Sequence, residues 1–129
     1  FDWRILYEFK KQNPNILRGF LTLQQNLGST KKNIYENSPW MEKQFPLEDL
    51  FLVPKIIKSL EGHVWSVFYR DVTKKNIELA HELGLAVNVW TVNRESDIIR
   101  MIEYGADGII TDYPKKVQDI CKSKNIAWF

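Results

Sequence analysis

LAVNVWTVNRESDIIRMIEYGADGIITDYP, residues Leu85 to Pro114, decides the fold. Ala86 to Val92 alternates Ala86, Asn88, Trp90 and Val92 against Val87, Val89 and Thr91, a β-branched run with the bulk of a buried parallel strand. Arg94 to Tyr104 then changes period. Ile98, Ile99, Met101 and Ile102 make an apolar patch, with Arg100 and Glu103 on the wet side, as in a helix lying on a sheet. Gly105 stands where helices favour a left-handed cap. Ala106 to Thr111 is a second short apolar strand, after which Asp112 reads as a cap and Pro114 as the first turn of another helix. Two parallel strands joined by a helix make one βαβ unit.

The same alternation extends outward in both directions. Gly19 to Leu23 and Val64 to Tyr69 read as strands; Trp3 to Lys11, Leu47 to Leu60, Thr73 to Leu83 and Lys115 to Ser123 read as helices, with Thr73 of N-cap type. Trp65 to Val87 is 22 positions and Val87 to Ile109 another 22. A short, regular repeat of this kind predicts a parallel sheet with helices outside.

Composition excludes more than it selects. The chain has 129 residues, 44% hydrophobic and 13% aromatic, with a net charge of +2, which suits one soluble domain of ordinary core content. The lysine pairs Lys31 and Lys32, Lys74 and Lys75, and Lys115 and Lys116 are scattered over loops and helix starts, which argues against nucleic acid as a partner. No apolar run reaches the roughly 18 residues of a membrane span, no signal peptide is visible, and a cytoplasmic location is expected. The single cysteine, Cys121, lies beside Ile120 on the inner face of the last helix and reads as a packed thiol.

Two features point to part of a larger fold. The chain opens on Phe1 without an initiator Met and passes directly into the helical pattern Trp3, Ile5, Leu6, Phe9, as though Phe1 ended a strand. Four strands, moreover, cannot close on themselves, and an open sheet leaves two edges and a face to be covered. NVWTVN (Asn88 to Asn93) followed by GADGIITDYP (Gly105 to Pro114) resembles the C-terminal signature of the glycerophosphodiester phosphodiesterase family. Phe1-Asp2 is similar to the end of that family's fourth strand, and SPW (Ser38 to Trp40) and VWSVFYRD (Val64 to Asp71) resemble a bacterial-type subgroup.

The resemblance implies an α/β fold, the C-terminal half, about strands 5 to 8 with their helices, of a TIM (β/α)8 barrel. It further implies, for the intact enzyme, hydrolysis of glycerophosphodiesters to glycerol 3-phosphate and an alcohol with a divalent cation, calcium or magnesium. The family's His-Arg-Gly motif, second catalytic His, metal-binding carboxylates and Glu-x-Lys strand have no counterpart here. No catalytic residue and no metal ligand is therefore expected in this chain, the cation's ligands lie outside it, and alone it is expected to be inactive. Its partners would be the substrate and a missing N-terminal half-barrel or a second copy of itself.

Of the two histidines, His63 falls at the start of a strand and His81 on an outer helix, both away from the face where barrel enzymes build their sites. Trp90 falls at the favoured end of its strand, where its ring can pack on glycerol carbons and exclude water; Phe1 and Tyr69 are the other expected substrate contacts. Arg70 reads either as a head-group contact or as a partner of Asp71. The loop from Gln24 to Pro46 (24–46) is long enough to act as a lid through Tyr35, Trp40, Met41 and Phe45, or simply to fold those side chains onto the rim. Asp112 is read as a cap rather than a ligand. Competing readings are another kind of phosphate-binding barrel, disfavoured because Asp112 would repel the anion, and a non-catalytic half-barrel that binds a partner.

Overall fold

The computed structural model of the chain describes residues 1–41, 45 and 52–127. Along them the elements alternate as α1 (Trp3–Gln12), β1 (Gly19–Thr22), α2 (Val53–Ser59), β2 (Val64–Phe68), α3 (Lys74–Glu82), β3 (Ala86–Trp90), α4 (Glu95–Tyr104), β4 (Gly108–Ile109) and α5 (Pro114–Ser123). The strands form one sheet in the order β1-β2-β3-β4, parallel at each pairing. Sequential order with right-handed crossovers places every connecting helix on the same side.

Burial follows that placement residue by residue. Phe20, Thr22, Trp65, Val67, Val87 and Val89 point to one face and are almost completely buried, together with Ile57, Ile77, Ile98 and Met101 from the helices. Each such side chain contributes roughly 1.5–3 kcal/mol by leaving water. On the other face Leu21 and Ala86 are exposed and Asn88 and Trp90 only half-buried, while Ser66 and Phe68 of β2 are covered. The helix side is therefore the main core and the opposite side is open around the β1 and β3 positions. Inside the core the one indole donor on β2 is satisfied, since Trp65 Nε1 donates to Thr22 Oγ1 at 2.8 Å.

Local chemistry sets the element ends. Asp2 caps α1 by accepting from the Arg4 backbone N–H at 3.1 Å, and Thr73 caps α3 by accepting from that of Asn76 at 3.3 Å. Gly105 ends α4 at φ 87°, a conformation costly for any side chain, and lets Ala106 N–H return to the Met101 carbonyl. Of the helix expected over Leu47 to Leu60, residues 47–51 lie outside the described residues, and within them α2 covers Val53–Ser59.

Two expectations are corrected. The strand repeat is not uniform, because Val64 faces Ala86, 22 positions on, whereas Asn88 faces Gly108, 20 positions on. Three residues separate helix from strand in both cases, 83–85 before β3 and 105–107 before β4, so the difference lies in the pairing register, β4 starting opposite Asn88 and not Ala86. Asp112 does not cap α5: Tyr113 holds that position with no side-chain bond, Pro114 opens the helix, and Asp112 is engaged elsewhere. Among the described residues no helix is long and apolar enough to cross a membrane.

The N-terminal ends of the strands hold both histidines. His63 Nδ1 accepts the Arg18 N–H at 3.2 Å, and His81 Nε2 lies 2.9 Å from Asp107 Oδ2, which also accepts the Val87 N–H at 2.7 Å. Cys121 is buried and free. Gly62, which turns α2 into β2, is wedged against the core: a Cβ there would sit 2.4 Å from Ile57 Cγ2 and 2.8 Å from Phe20 Cε2. Gly62→Ala should lower unfolding free energy by about 1–3 kcal/mol in urea titration, the usual range for overpacking; an unchanged midpoint would show that the helix and strand part freely.

Candidate functional site

At the C-terminal end of β3 the alternation turns Trp90 onto the open face. Its ring meets that of Phe1 edge-on, with centroids 5.4 Å apart at 87°, and that of Phe68 at 5.3 Å. Trp90 Nε1 donates to the Ser66 carbonyl at 3.1 Å, which fixes the plane of the indole and consumes its only donor. What remains is an apolar wall with a defined orientation. Phe1 reaches it from the N-terminus of α1, beside Asp2, whose carboxyl is held below its ordinary pKa chiefly by hydrogen bonding to the Arg4 side chain. A carboxylate shifted this way keeps its contribution at neutral pH and loses it only as pH falls through the lowered value.

Beside Phe1 the loop after β1 encloses a concavity of about 240 Å³ lined by Phe1, Asp2, Thr30, Lys31, Asn33 and Trp40. The buried side chain of Asn33 holds this wall together. Its Nδ2 donates to the carbonyls of Phe1 and Leu21, each at 2.9 Å, while its Oδ1 accepts the Leu23 N–H at 2.8 Å. Ser38 Oγ then donates to the Asn33 carbonyl at 2.7 Å, and Trp3 N–H to that of Trp40 at 2.7 Å. Sequence reading passed over Asn33, although a buried asparagine can be satisfied in this way only by several backbone groups at once. Of the four aromatic and Met side chains in the loop, Trp40 lies at the concavity under the Arg4 guanidinium, Met41 is buried in the core, Tyr35 is half-buried near Lys32, and Phe45 packs against the core edge.

The third expected contact is placed differently from the other two. Tyr69 continues the ladder by donating its N–H to the Trp90 carbonyl at 3.1 Å, and its ring stands edge-on to that of Phe68 with centroids 5.1 Å apart. There it is nearly buried, accepts from Arg70 Nε at 3.0 Å, and lines a second concavity with Arg70, Arg94, Arg100 and Tyr104. The structure thus gathers Phe1, Phe68 and Trp90, with Tyr69 joined to them through Phe68 and lining the second concavity.

A clamp closes the rim on the far side. Asn93 Nδ2 donates to Asp112 Oδ2 at 2.6 Å, and its Oδ1 accepts from Thr111 Oγ1 and the Asp112 N–H, both at 3.0 Å. Asp112 is therefore tied into the loops, and Asp71 likewise accepts from Gln24 N–H at 2.8 Å and Gln25 Nε2 at 2.7 Å. Among the described residues no three His, Cys, Asp or Glu side chains converge as a cation would require.

Residues 52–116 match the model of the glycerophosphoryl diester phosphodiesterase family. A glycerophosphodiester phosphodiesterase of Caldanaerobacter subterraneus is 33% identical over 63 residues, 49% of this chain and 26% of that protein. The crystal structure of a glycerophosphoryl diester phosphodiesterase, so named as putative, from Silicibacter pomeroyi superposes over 100% of this chain and 38% of its own length with a TM-score of 0.75 and 31% identity. An Oleispira antarctica phosphodiesterase in complex with the product sn-glycerol-3-phosphate shares the fold at a TM-score of 0.63 and 19% identity, over 91% of this chain and 38% of that one. The chain thus spans between about a quarter and two fifths of the length of these proteins.

Asn33→Ala should cost about 1–3 kcal/mol, because it strands the Phe1 carbonyl and the Leu23 N–H, while the Leu21 carbonyl keeps the Trp3 indole N–H at 3.0 Å. Hydrogen exchange checks it: the Leu23 amide should lose protection before the β2 and β3 amides do, and equal protection throughout would mean that the amide does not anchor the loop.

Proposed function

We propose, from the fact that this chain belongs to the glycerophosphoryl diester phosphodiesterase family, that it is the C-terminal half, about strands 5 to 8, of a TIM barrel hydrolysing glycerophosphodiesters to glycerol 3-phosphate and an alcohol. The observation that carries the reading is Trp90, locked by Ser66 and Phe1 at the C-terminal end of a parallel strand on the open face of the sheet. Barrel enzymes build their sites at that end. The sn-glycerol-3-phosphate bound by the Oleispira phosphodiesterase supports a substrate of this size and charge.

The chain's part in the reaction is to shape and dry the site. The indole face packs on the glycerol carbons, Phe1 and Phe68 restrict water beside the phosphate, and Asn33 keeps the Phe1 wall in place. Exclusion of water strengthens every electrostatic contact the phosphate makes. The described part of the loop over 24–46, anchored by the Asn33 and Trp40 bonds, serves as a lid, and Tyr69 faces the alcohol head group. Proton transfer falls to groups outside the chain, because His63 and His81 both sit at the other end of the strands and are bonded there. A calcium or magnesium ion, if used, takes its ligands outside this chain too. The open face and the edge strands β1 and β4 suit completion by an N-terminal half-barrel, or by a second copy of this chain.

Incubated alone with glycerophosphocholine and calcium or magnesium, the 129-residue chain should release no glycerol 3-phosphate in a coupled dehydrogenase assay. Metal-dependent turnover would refute the half-barrel reading. In the barrel completed by its N-terminal half, Trp90→Ala should raise KM roughly tenfold, about 1.4 kcal/mol of lost binding, and leave kcat within a few-fold. Steady-state kinetics indistinguishable from the parent would remove Trp90 from the pocket.

A further inference from the structure

On the outer side of the same rim, Tyr69, Arg70, Arg94, Arg100 and Tyr104 line an open concavity of about 420 Å³ between the β2–α3 connection and α4. That volume is within the range of small-ligand sites. Arg94, Asp97, Arg100 and Tyr104 recur at helical spacing, so they form a stripe along one side of α4, and Tyr69 and Arg70 face it from the end of β2. Three guanidinium groups share the concavity with one carboxylate, Asp97, which pairs with Arg100 at 2.9 Å. The neighbouring acids are turned away: Asp71 accepts from Gln24 and Gln25, Glu95 lines the groove beside α5, and Glu103 lies 3.7 Å from Lys124.

Arg94 is a poor choice on local grounds. It occupies the N-cap of α4, makes no capping bond, and brings a positive charge to the positive end of the helix dipole. Among the described residues it forms no ion pair. Arg70 is held only through its Nε, to the Tyr69 hydroxyl, which leaves the outer nitrogens of its fork free. A broken local rule with no structural return is what a binding site produces.

We propose that this concavity is a binding site for a phosphate group, taken by the Arg70 and Arg94 forks with Arg100 and the Tyr104 hydroxyl beside them. Planar guanidinium forks match two phosphate oxygens at once, which a scattered lysine patch does not do. The inference does not depend on the catalytic reading, because anion binding here needs no hydrolysis. It also lies between the second and third strand–helix units, away from the edges β1 and β4, so completion of a barrel leaves it open.

The test is titration of the full chain with inorganic phosphate, followed by calorimetry and by ³¹P line broadening, with a parallel arm of phosphatidylcholine vesicles with and without phosphatidic acid. Saturable phosphate binding is expected, weakened about tenfold or more by Arg70→Gln with Arg94→Gln, and several-fold by the exposed Arg94→Gln alone, which removes no other contact. Lys10→Gln with Lys11→Gln removes the same charge from α1 and should leave the affinity unchanged. Binding of free phosphate assigns the site to soluble phosphate compounds, and recruitment only to vesicles containing phosphatidic acid assigns it to a lipid head group; either supports the proposal. No saturable binding in either arm, or equal loss in the lysine pair, overturns it. Neither result bears on glycerol 3-phosphate release, so the two readings fail separately.

Discussion

Parallel pairing in sequential order is the constraint on which the rest of the structure depends. Each strand must be followed by a helix that carries the chain back, and right-handed crossovers put all of those helices on one face. The strict alternation of side chains along a strand then divides the residues into two populations. Val87 and Val89 go to the helices and are sealed; Asn88 and Trp90, one position away, go to the open face. A slip of one residue in the register of β3 would exchange these sets, leaving valines in water and an indole with a fixed donor in the core.

The candidate site takes its geometry from side-chain amides more than from the aromatic rings themselves. Asn33 joins the end of β1, the loop after it and the residue that opens α1, and so carries Phe1 to Trp90. Asn93 does the same for the loops after β3 and β4. Each satisfies backbone groups that would otherwise be orphaned where the chain leaves the sheet, which is how irregular rim segments hold one conformation. The rings supply apolar area, and the amides decide where that area stands.

The rim divides into regions of different chemistry. The open face presents Trp90, Phe1 and Phe68, apolar and edge-packed, while the outer side presents three arginines against one paired carboxylate. The division begins at two adjacent residues that touch ring to ring: Phe68 packs against Trp90, and Tyr69 lines the arginine concavity. The opposite end of the sheet is occupied by structural pairings, His63 with Arg18 and His81 with Asp107, which tie strand starts to their neighbours. The structural pairings are thus kept at the end of the sheet away from Trp90.

Strand and helix order, the parallel sheet, the Thr73 and Gly105 caps and the position of Trp90 at a strand end were all legible in the sequence, because period and cap type are local properties of the chain. The resemblance carried by NVWTVN and GADGIITDYP added the family. Tertiary structure alone decided the roles of Asn33, Asn93 and Asp112, the pairing register of β4, and the meeting of Arg70 with Arg94 and Arg100, since each depends on segments far apart in sequence that only folding brings together. Asp112 shows the difference in one residue. Its local context favours a helix cap, and a side chain 19 positions away supplies a better partner.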